Sequence, residues 1–372
     1  MKYYIIAGEK SGDLHGSNLI TELKKQDKSA EIRCWGGELM EKAGATLVRH
    51  YKETAFMGIW EAMINLGKIS KNLEFCKKDI SQFQPDVVIL IDYPGFNLRI
   101  AKFAKTAGFK VLYYISPKIW AWNKGRIKQI KAYVDKMLVI LPFEKEFYKQ
   151  YDYPVDYVGN PVYDAVKKHQ VSLSFFEKNK LPEDKTIVAM LPGSRFQEIE
   201  KMMPIMCETA LFHPDYHFVV AAVSHIDQTL YSTASGISNV TLVYEQTYDL
   251  LAYSDAAIVA SGTATLETAL WDVPQVVVYK TSMLTYLIGK KFVKIRFISL
   301  VNLIADKEVV KELIQQDMNV EAVAKELHEI LHNKNRRLFM IKEYNKIKES
   351  LKDGKASFLA AKKVVEFLNQ GK

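Results

Sequence analysis

Short apolar runs rich in β-branched and aromatic residues recur along the chain, each followed by residues at helical spacing. This alternation limits the fold more than any other feature. In the first half the runs are Tyr3–Ala7, Val87–Ile91, Val111–Ile115 and Met137–Leu141. In the second they are Ile187–Leu191, Phe218–Val223, Ala256–Ala260 and Gln275–Tyr279. Continuous apolar runs suit parallel strands covered on both faces by helices. Tyr157–Lys180, which holds Gly159-Asn160-Pro161 and then a polar stretch, separates the two series and reads as the linker. The 372 residues are enough for two domains of roughly 150–200 residues each. The expected fold is therefore α/β, with two doubly wound Rossmann-like domains facing across a cleft. Residues 1–165 make the first domain and 166–344 the second. A lysine-rich helix at about 345–372 crosses back onto the first domain or packs on a second copy in a homodimer. In such sheets ligands bind beyond the carboxyl ends of the strands.

Charge and cysteine usage narrow the class. The formal net charge is +8, which fits nucleic acid, an anionic membrane surface or an anionic small substrate. No recognised nucleic-acid-binding module accompanies that charge. Cys34, Cys76 and Cys207 are odd in number and widely spaced, which argues for a reducing compartment and against a disulfide framework. Neither cysteines nor histidines have metal-site spacing, and Pro214 keeps His213 and His217 off one helical face. No metal or other cofactor is expected. The opening apolar run is too short for a signal peptide, and no stretch approaches the ~18–20 apolar residues of a membrane span. The expectation is a cytoplasmic protein whose membrane contact is peripheral.

Four loops directly after apolar runs carry residues suited to chemistry. Gly8-Glu9-Lys10-Ser11-Gly12-Asp13 follows the first run, where glycines allow close backbone approach and the next helix offers free N–H groups. It also reads as a plain turn capped by Ser11 or Asp13. Asp92, in Ile91-Asp92-Tyr93-Pro94-Gly95-Phe96-Asn97, is a carboxylate at a strand end, where a general base is useful. A turn aspartate before Pro94-Gly95 is the structural alternative. Gly193, Ser194 and Arg195 combine exposed N–H groups with a forked cation, which suits a diphosphate. Ser261, Gly262, Thr263 and Thr265 suit a helix N-terminus that takes a phosphate, with Glu267 one turn on for ribose hydroxyls. A fifth stretch is amphipathic: Phe56, Met57, Ile59, Trp60 and Met63, near one helical face, are followed by Lys68, Lys71, Lys77 and Lys78. Such a stripe is either core or an interfacial patch that admits acyl chains. Leu284–Leu300 is a second basic-aromatic stretch.

These loops occur in order together with Ser116-Pro117-Lys118-Ile119-Trp120-Ala121-Trp122 and Gly159-Asn160-Pro161. The set closely resembles the lipid-A-disaccharide synthase family, over about residues 1–345. The resemblance implies a GT-B fold, with the UDP-sugar donor in the second domain and the acceptor towards the first. It implies transfer from UDP-2,3-diacylglucosamine to 2,3-diacylglucosamine 1-phosphate at the cytoplasmic face of an inner membrane. It makes Asp92 the general base, marks Glu9 and Arg195 as functionally required, and places Asn302 near the donor. Gly95 and Val301 depart from the commoner pattern, which has a second acid and a proline there. Another GT-B transferase, a UDP-sugar epimerase, or a non-catalytic lipid- or UDP-sugar-binding relative would share the nucleotide loops. A two-domain solute-binding protein shares the α/β outline but is normally exported.

Overall fold

The structure, a computed structural model, describes the chain except for residues 54–65, 123, 225, 283–285, 287–295, 353 and 371–372. The stripe formed by Phe56, Met57, Ile59, Trp60 and Met63 lies outside the described residues. The chain divides into two compact units, Met1–Pro161 with Asp353–Lys372, and Val162–Lys352.

The first unit holds a seven-stranded parallel sheet ordered β3-β2-β1-β4-β5-β6-β7. Its strands are β1 (Lys2–Ala7), β2 (Glu31–Gly36), β3 (Thr46–His50), β4 (Val87–Ile91), β5 (Lys110–Tyr114), β6 (Lys136–Val139) and β7 (Asp156–Tyr157). β1 pairs with β4 in register Tyr3↔Val87 through Ala7↔Ile91. All five residues of β4 are buried, because helices cover both of its faces. Side chains therefore point alternately into two cores, Val87, Ile89 and Ile91 into one and Val88 and Leu90 into the other.

The second unit repeats the plan with six parallel strands ordered β10-β9-β8-β11-β12-β13. These are β8 (Thr186–Leu191), β9 (Tyr216–Ala222), β10 (Val240–Tyr244), β11 (Ala256–Ala260), β12 (Gln275–Tyr279) and β13 (Lys311–Ile314). In both sheets the strand order reverses between two central neighbours, β1 and β4 or β8 and β11. The chain leaves these neighbours in opposite directions, and a crevice opens at their carboxyl ends. All four glycine-bearing loops singled out in the sequence lie at these two points.

The chain ends in two helices with different allegiances. Lys334–Leu351 buries Met340, Tyr344, Ile347 and Leu351 in the core of the second unit. Beyond its C-cap at Lys352, Gly354 and Lys355 take left-handed backbone (φ +46° and +64°), Lys355 as the N-cap of the next helix. Ala356–Asn369 returns to the first unit. It buries Ala356, Ala360, Ala361, Val364 and Leu368 at helical spacing, the last four packed in one cluster with Leu19, Ile20 and Leu23 of helix Lys10–Gln26. The return thus begins at residue 356 rather than at about 345.

Candidate active site

At the first reversal, the loops after β1 and β4 interlock. A Cβ on Gly8 would stand 2.3 Å from the Tyr93 ring, so only glycine lets the two loops close. Asp92 and Tyr93 both adopt left-handed backbone, with φ of +43° and +48°. Two consecutive non-glycine residues in that region are held there by their surroundings, and such strain clusters at functional sites. The clamp is visible. The Asp92 carbonyl accepts from Asn97 Nδ2 at 2.8 Å and from the Tyr113 hydroxyl at 2.5 Å. Asn97 Nδ2 also reaches the Ile91 carbonyl at 3.2 Å. Burial, and then the Asp92 carboxylate, raise the Tyr113 phenol well above its ordinary range, so it remains a donor. Asp92 is half-buried and Glu9 exposed, and the charge of Glu9 reaches Tyr93. The sequence-expected base and the sequence-expected glutamate thus flank one crevice.

Asp13 does not cap its own helix. Its buried carboxylate accepts from Gly37 N at 2.7 Å, Met40 N at 3.1 Å and Leu39 N at 3.2 Å, tying the start of helix Glu38–Lys42 to the first helix. Its role is structural. After β6 in the same unit, buried Glu144 accepts from Leu141 N at 3.0 Å, Ile140 N at 3.3 Å and Trp120 Nε1 at 3.3 Å. Burial pushes its carboxyl up to about 7. Glu144 thereby positions Trp120 of the Ser116–Trp122 motif.

At the second reversal the donors are already engaged. Gly193 has φ +107°, and a Cβ there would lie 2.4 Å from Glu198 Oε2. That oxygen accepts from Ser194 N at 3.1 Å and Arg195 N at 3.3 Å. The backbone N–H groups expected to meet a diphosphate therefore hold an internal carboxylate. The Arg195 side chain, 56% exposed, reaches out with a 3.5 Å contact to Glu198. After β11, Gly262 sits at the N-cap of helix Thr263–Leu270 with open space where its Cβ would be, and Thr263 is exposed. Gly262 and Thr263 are the residues of this loop that present themselves outward.

Residues 3–364 match the family model described as lipid-A-disaccharide synthetase. The chain belongs to the lipid-A-disaccharide synthetase family. It is 39% identical over 354 residues to the lipid-A-disaccharide synthase of Syntrophus aciditrophicus, covering 93% of this chain and 92% of that one. The corresponding figure for Coxiella burnetii is 38% over 365 residues, with 97% and 96% covered. Among solved structures it resembles the UDP-GlcNAc 2-epimerase of Neisseria meningitidis, at TM-score 0.69 and 12% identity, covering 98% of this chain and 100% of that one. It also resembles the calicheamicin glycosyltransferase CalG4, at TM-score 0.64 and 15% identity, covering 99% and 98%. Such low identities carry the fold alone. The fold is GT-B, and membership of the lipid-A-disaccharide synthetase family makes the chain a glycosyltransferase.

Several residues expected at the donor in this lipid-A-disaccharide synthetase family member are bonded within the scaffold. Asn302 is fully buried. Its Nδ2 donates to Val310 O and Glu312 Oε1, both at 2.9 Å, and its Oδ1 accepts from Val309 N at 2.8 Å and Val310 N at 3.0 Å. Four bonds saturate the amide, so it cannot touch a ligand. Thr265 is buried too, donating to Gly262 O at 2.8 Å and accepting from Leu300 N at 3.2 Å. The Ser261 hydroxyl donates to Ile298 O at 3.0 Å. Glu267 accepts from the Tyr248 hydroxyl at 2.8 Å, and burial raises its carboxyl. Val301 lies in the first turn of helix Leu300–Ala305, where the proline usual in the family costs no intrahelical bond. Gly95 faces open space, so an acid there would fit without rearrangement. Among the described residues, no group of three or more His, Cys, Asp or Glu is arranged for a metal ion.

Asn97, Tyr113, Glu144 and Glu198 are functional-site supports that the loop motifs do not mark. Glu198 had a signal, since an acid three residues after an N-cap is the spacing of a capping box. Tyr113 had none, because it lies inside an apolar run and looks like core.

Proposed function

We propose that this chain joins UDP-2,3-diacylglucosamine to 2,3-diacylglucosamine 1-phosphate, giving a β-1,6 disaccharide and UDP. The observation that carries the chemistry is Asp92, a carboxylate at the strand-order reversal on a strained corner clamped by Asn97 and Tyr113. Asp92 takes the proton from the acceptor 6-hydroxyl as that oxygen attacks the donor's anomeric carbon. The bond from that carbon to the β-phosphate oxygen breaks, and UDP leaves with its electron pair. A single displacement inverts the donor's α-linkage to β. Glu9, on the other flank of the crevice, holds acceptor hydroxyls. Arg195 and the N-terminus at Gly262–Thr263 meet the charge that builds on UDP, a preorganised stabilisation of the kind that is often the largest catalytic contribution.

The deciding experiment incubates the purified chain with both acylated substrates and identifies the product by mass spectrometry. A disaccharide monophosphate with stoichiometric UDP is expected. Epimerisation of a UDP-sugar without acceptor, or tight UDP-sugar binding without turnover, would overturn the reading.

We also propose that the reaction runs at the cytoplasmic surface of a membrane, with Phe56, Met57, Ile59, Trp60 and Met63 as the contact. The amphipathic spacing, the neighbouring lysines and the net charge of +8 support it. Among the described residues no helix is long and apolar enough to cross a membrane. Paired acidic substitutions at Met57 and Trp60 should weaken sedimentation with anionic vesicles while leaving UDP binding intact. Unchanged sedimentation would return the stripe to the core.

A further inference from the structure

Beside the Asp92 corner the first unit holds a second feature that the displacement chemistry does not use. A cavity of about 340 Å³ opens against the start of helix Pro94–Thr106, lined there by Pro94, Gly95 and Arg99 and on the other side by Arg126 and Gln129. Its volume lies within the range of small-ligand sites, about 300–1,000 Å³. Two guanidiniums and one amide border a space next to a helix N-terminus, whose partial positive charge adds to theirs. Arg99 is held at the rim by an Nη1 bond to the Gly95 carbonyl at 3.1 Å. Arg99 and Arg126 line the same cavity, and burial, together with the like charge of Arg99, pulls the Arg126 guanidinium below its ordinary range. An anion seated between them offsets that like charge and gains forked, charge-assisted hydrogen bonds.

The cavity is tied to the base. Pro94 lies two residues after Asp92, and Tyr113, which donates to the Asp92 carbonyl, feels the charge of Arg126. A sugar with its 6-hydroxyl at Asp92 presents its C1 substituent one pyranose ring away. We propose that this cavity is the acceptor's phosphate subsite, in which Arg99, Arg126 and Gln129 grip the phosphate monoester on C1 and so select a phosphorylated acceptor. The assignment rests on the acceptor chemistry proposed above. These are specificity residues, distinct from the groups that act on the reacting atoms.

The test compares acylated glucosamine acceptors with and without the 1-phosphate, in neutral detergent, for the full chain and for Arg99→Gln, Arg126→Gln and Arg126→Lys. The wild-type chain should prefer the phosphorylated acceptor. Each glutamine variant should cut kcat/KM for that acceptor by about 10–100-fold, the usual scale of a charged hydrogen bond. The dephosphorylated acceptor and the donor KM should change little, and Arg126→Lys should recover part of the loss. In parallel, glucosamine 1-phosphate is titrated against glucosamine by calorimetry, a readout independent of turnover. Disaccharide formation with phosphate preference unchanged in both glutamine variants would overturn the subsite and leave the reaction standing. Arginine-dependent binding of glucosamine 1-phosphate without any disaccharide would do the reverse. Weaker binding of the variants to anionic vesicles, with acceptor preference intact, would assign the cavity to a lipid headgroup and also overturn the proposal.

Discussion

The two units share one topology and use its reversal point in opposite ways. In the first, the corner after β4 carries a full side chain on left-handed backbone, and buried polar groups exist to hold that corner rigid. In the second, the loops are mostly glycine and small polar residues; Glu198 holds the N–H groups of Ser194 and Arg195, while the Arg195 side chain and the Gly262–Thr263 helix start face outward. A proton-transfer group must be fixed in direction, whereas an anion site needs donors that are available and small residues that let a ligand approach. Duplicated architecture therefore does not imply duplicated chemistry. The division falls in the loop residues, not in the sheets.

The strongest way to break this comparison is at Asp92. Asp92→Asn preserves shape and removes the base, so kcat should fall about 10²–10⁴-fold with UDP affinity unchanged. Near-normal turnover would move the base elsewhere. The next effect is on stability. Glu144 is buried with its carboxyl pushed up to about 7, above the ordinary 4.5. The fold therefore holds the proton more tightly than the unfolded chain does. The stabilisation is complete below pH 4.5 and is lost as pH rises through about 7, a change on the order of 3 kcal/mol. Glu144→Gln should flatten the pH dependence of Tm across that window; an unchanged slope would place the titration on another group.

On the second unit the expected effects are smaller. Arg195→Ala should lower kcat/KM by about 10–100-fold, with Tm near wild type because the side chain is exposed. A loss of folding in its place would make Arg195 a scaffold residue like Asn302. Smallest is Glu198→Ala, which removes the bonds to Ser194 and Arg195 and should cost about 1 kcal/mol of stability. UDP affinity should hold or rise, since two N–H groups are released. A marked drop in affinity would show the carboxylate serving the nucleotide directly, and the contrast between the two reversals would need redrawing.

The central strands were legible because burial on both faces writes an uninterrupted apolar run. All eight runs read from the sequence coincide with interior strands: β1, β4, β5 and β6 in one sheet, β8, β9, β11 and β12 in the other. The strands without such a run are the four at sheet edges, β3, β7, β10 and β13, together with β2. Edge strands are half-covered, as in Thr46–His50, where no residue is fully buried. In β2, charged Glu31 and Arg33 interrupt the run. The placement of loop residues was legible where a polar residue follows a strand, as Asp92 follows β4 and Arg195 lies four residues after β8. It was not legible where spacing cannot say which partner a polar group finds. Asp13 caps a helix 24 residues away in sequence, and Asn302 spends its whole amide on the backbone of Val309–Val310 and on Glu312. Both distinctions depend on contacts between segments far apart in the chain.

Helix Ala356–Asn369 has a consequence for how the protein is made. It supplies Ala360, Ala361, Val364 and Leu368 to a core otherwise built from Tyr3, Ile5, Leu19 and Leu23. Domains emerging from the ribosome usually fold in order of synthesis. Here the helix that completes the first unit's core is synthesised only after the whole of the second unit. The second unit has no such dependence on what comes later. A chain cut short before residue 356 would lack the Ala360, Ala361, Val364 and Leu368 side chains that complete this core.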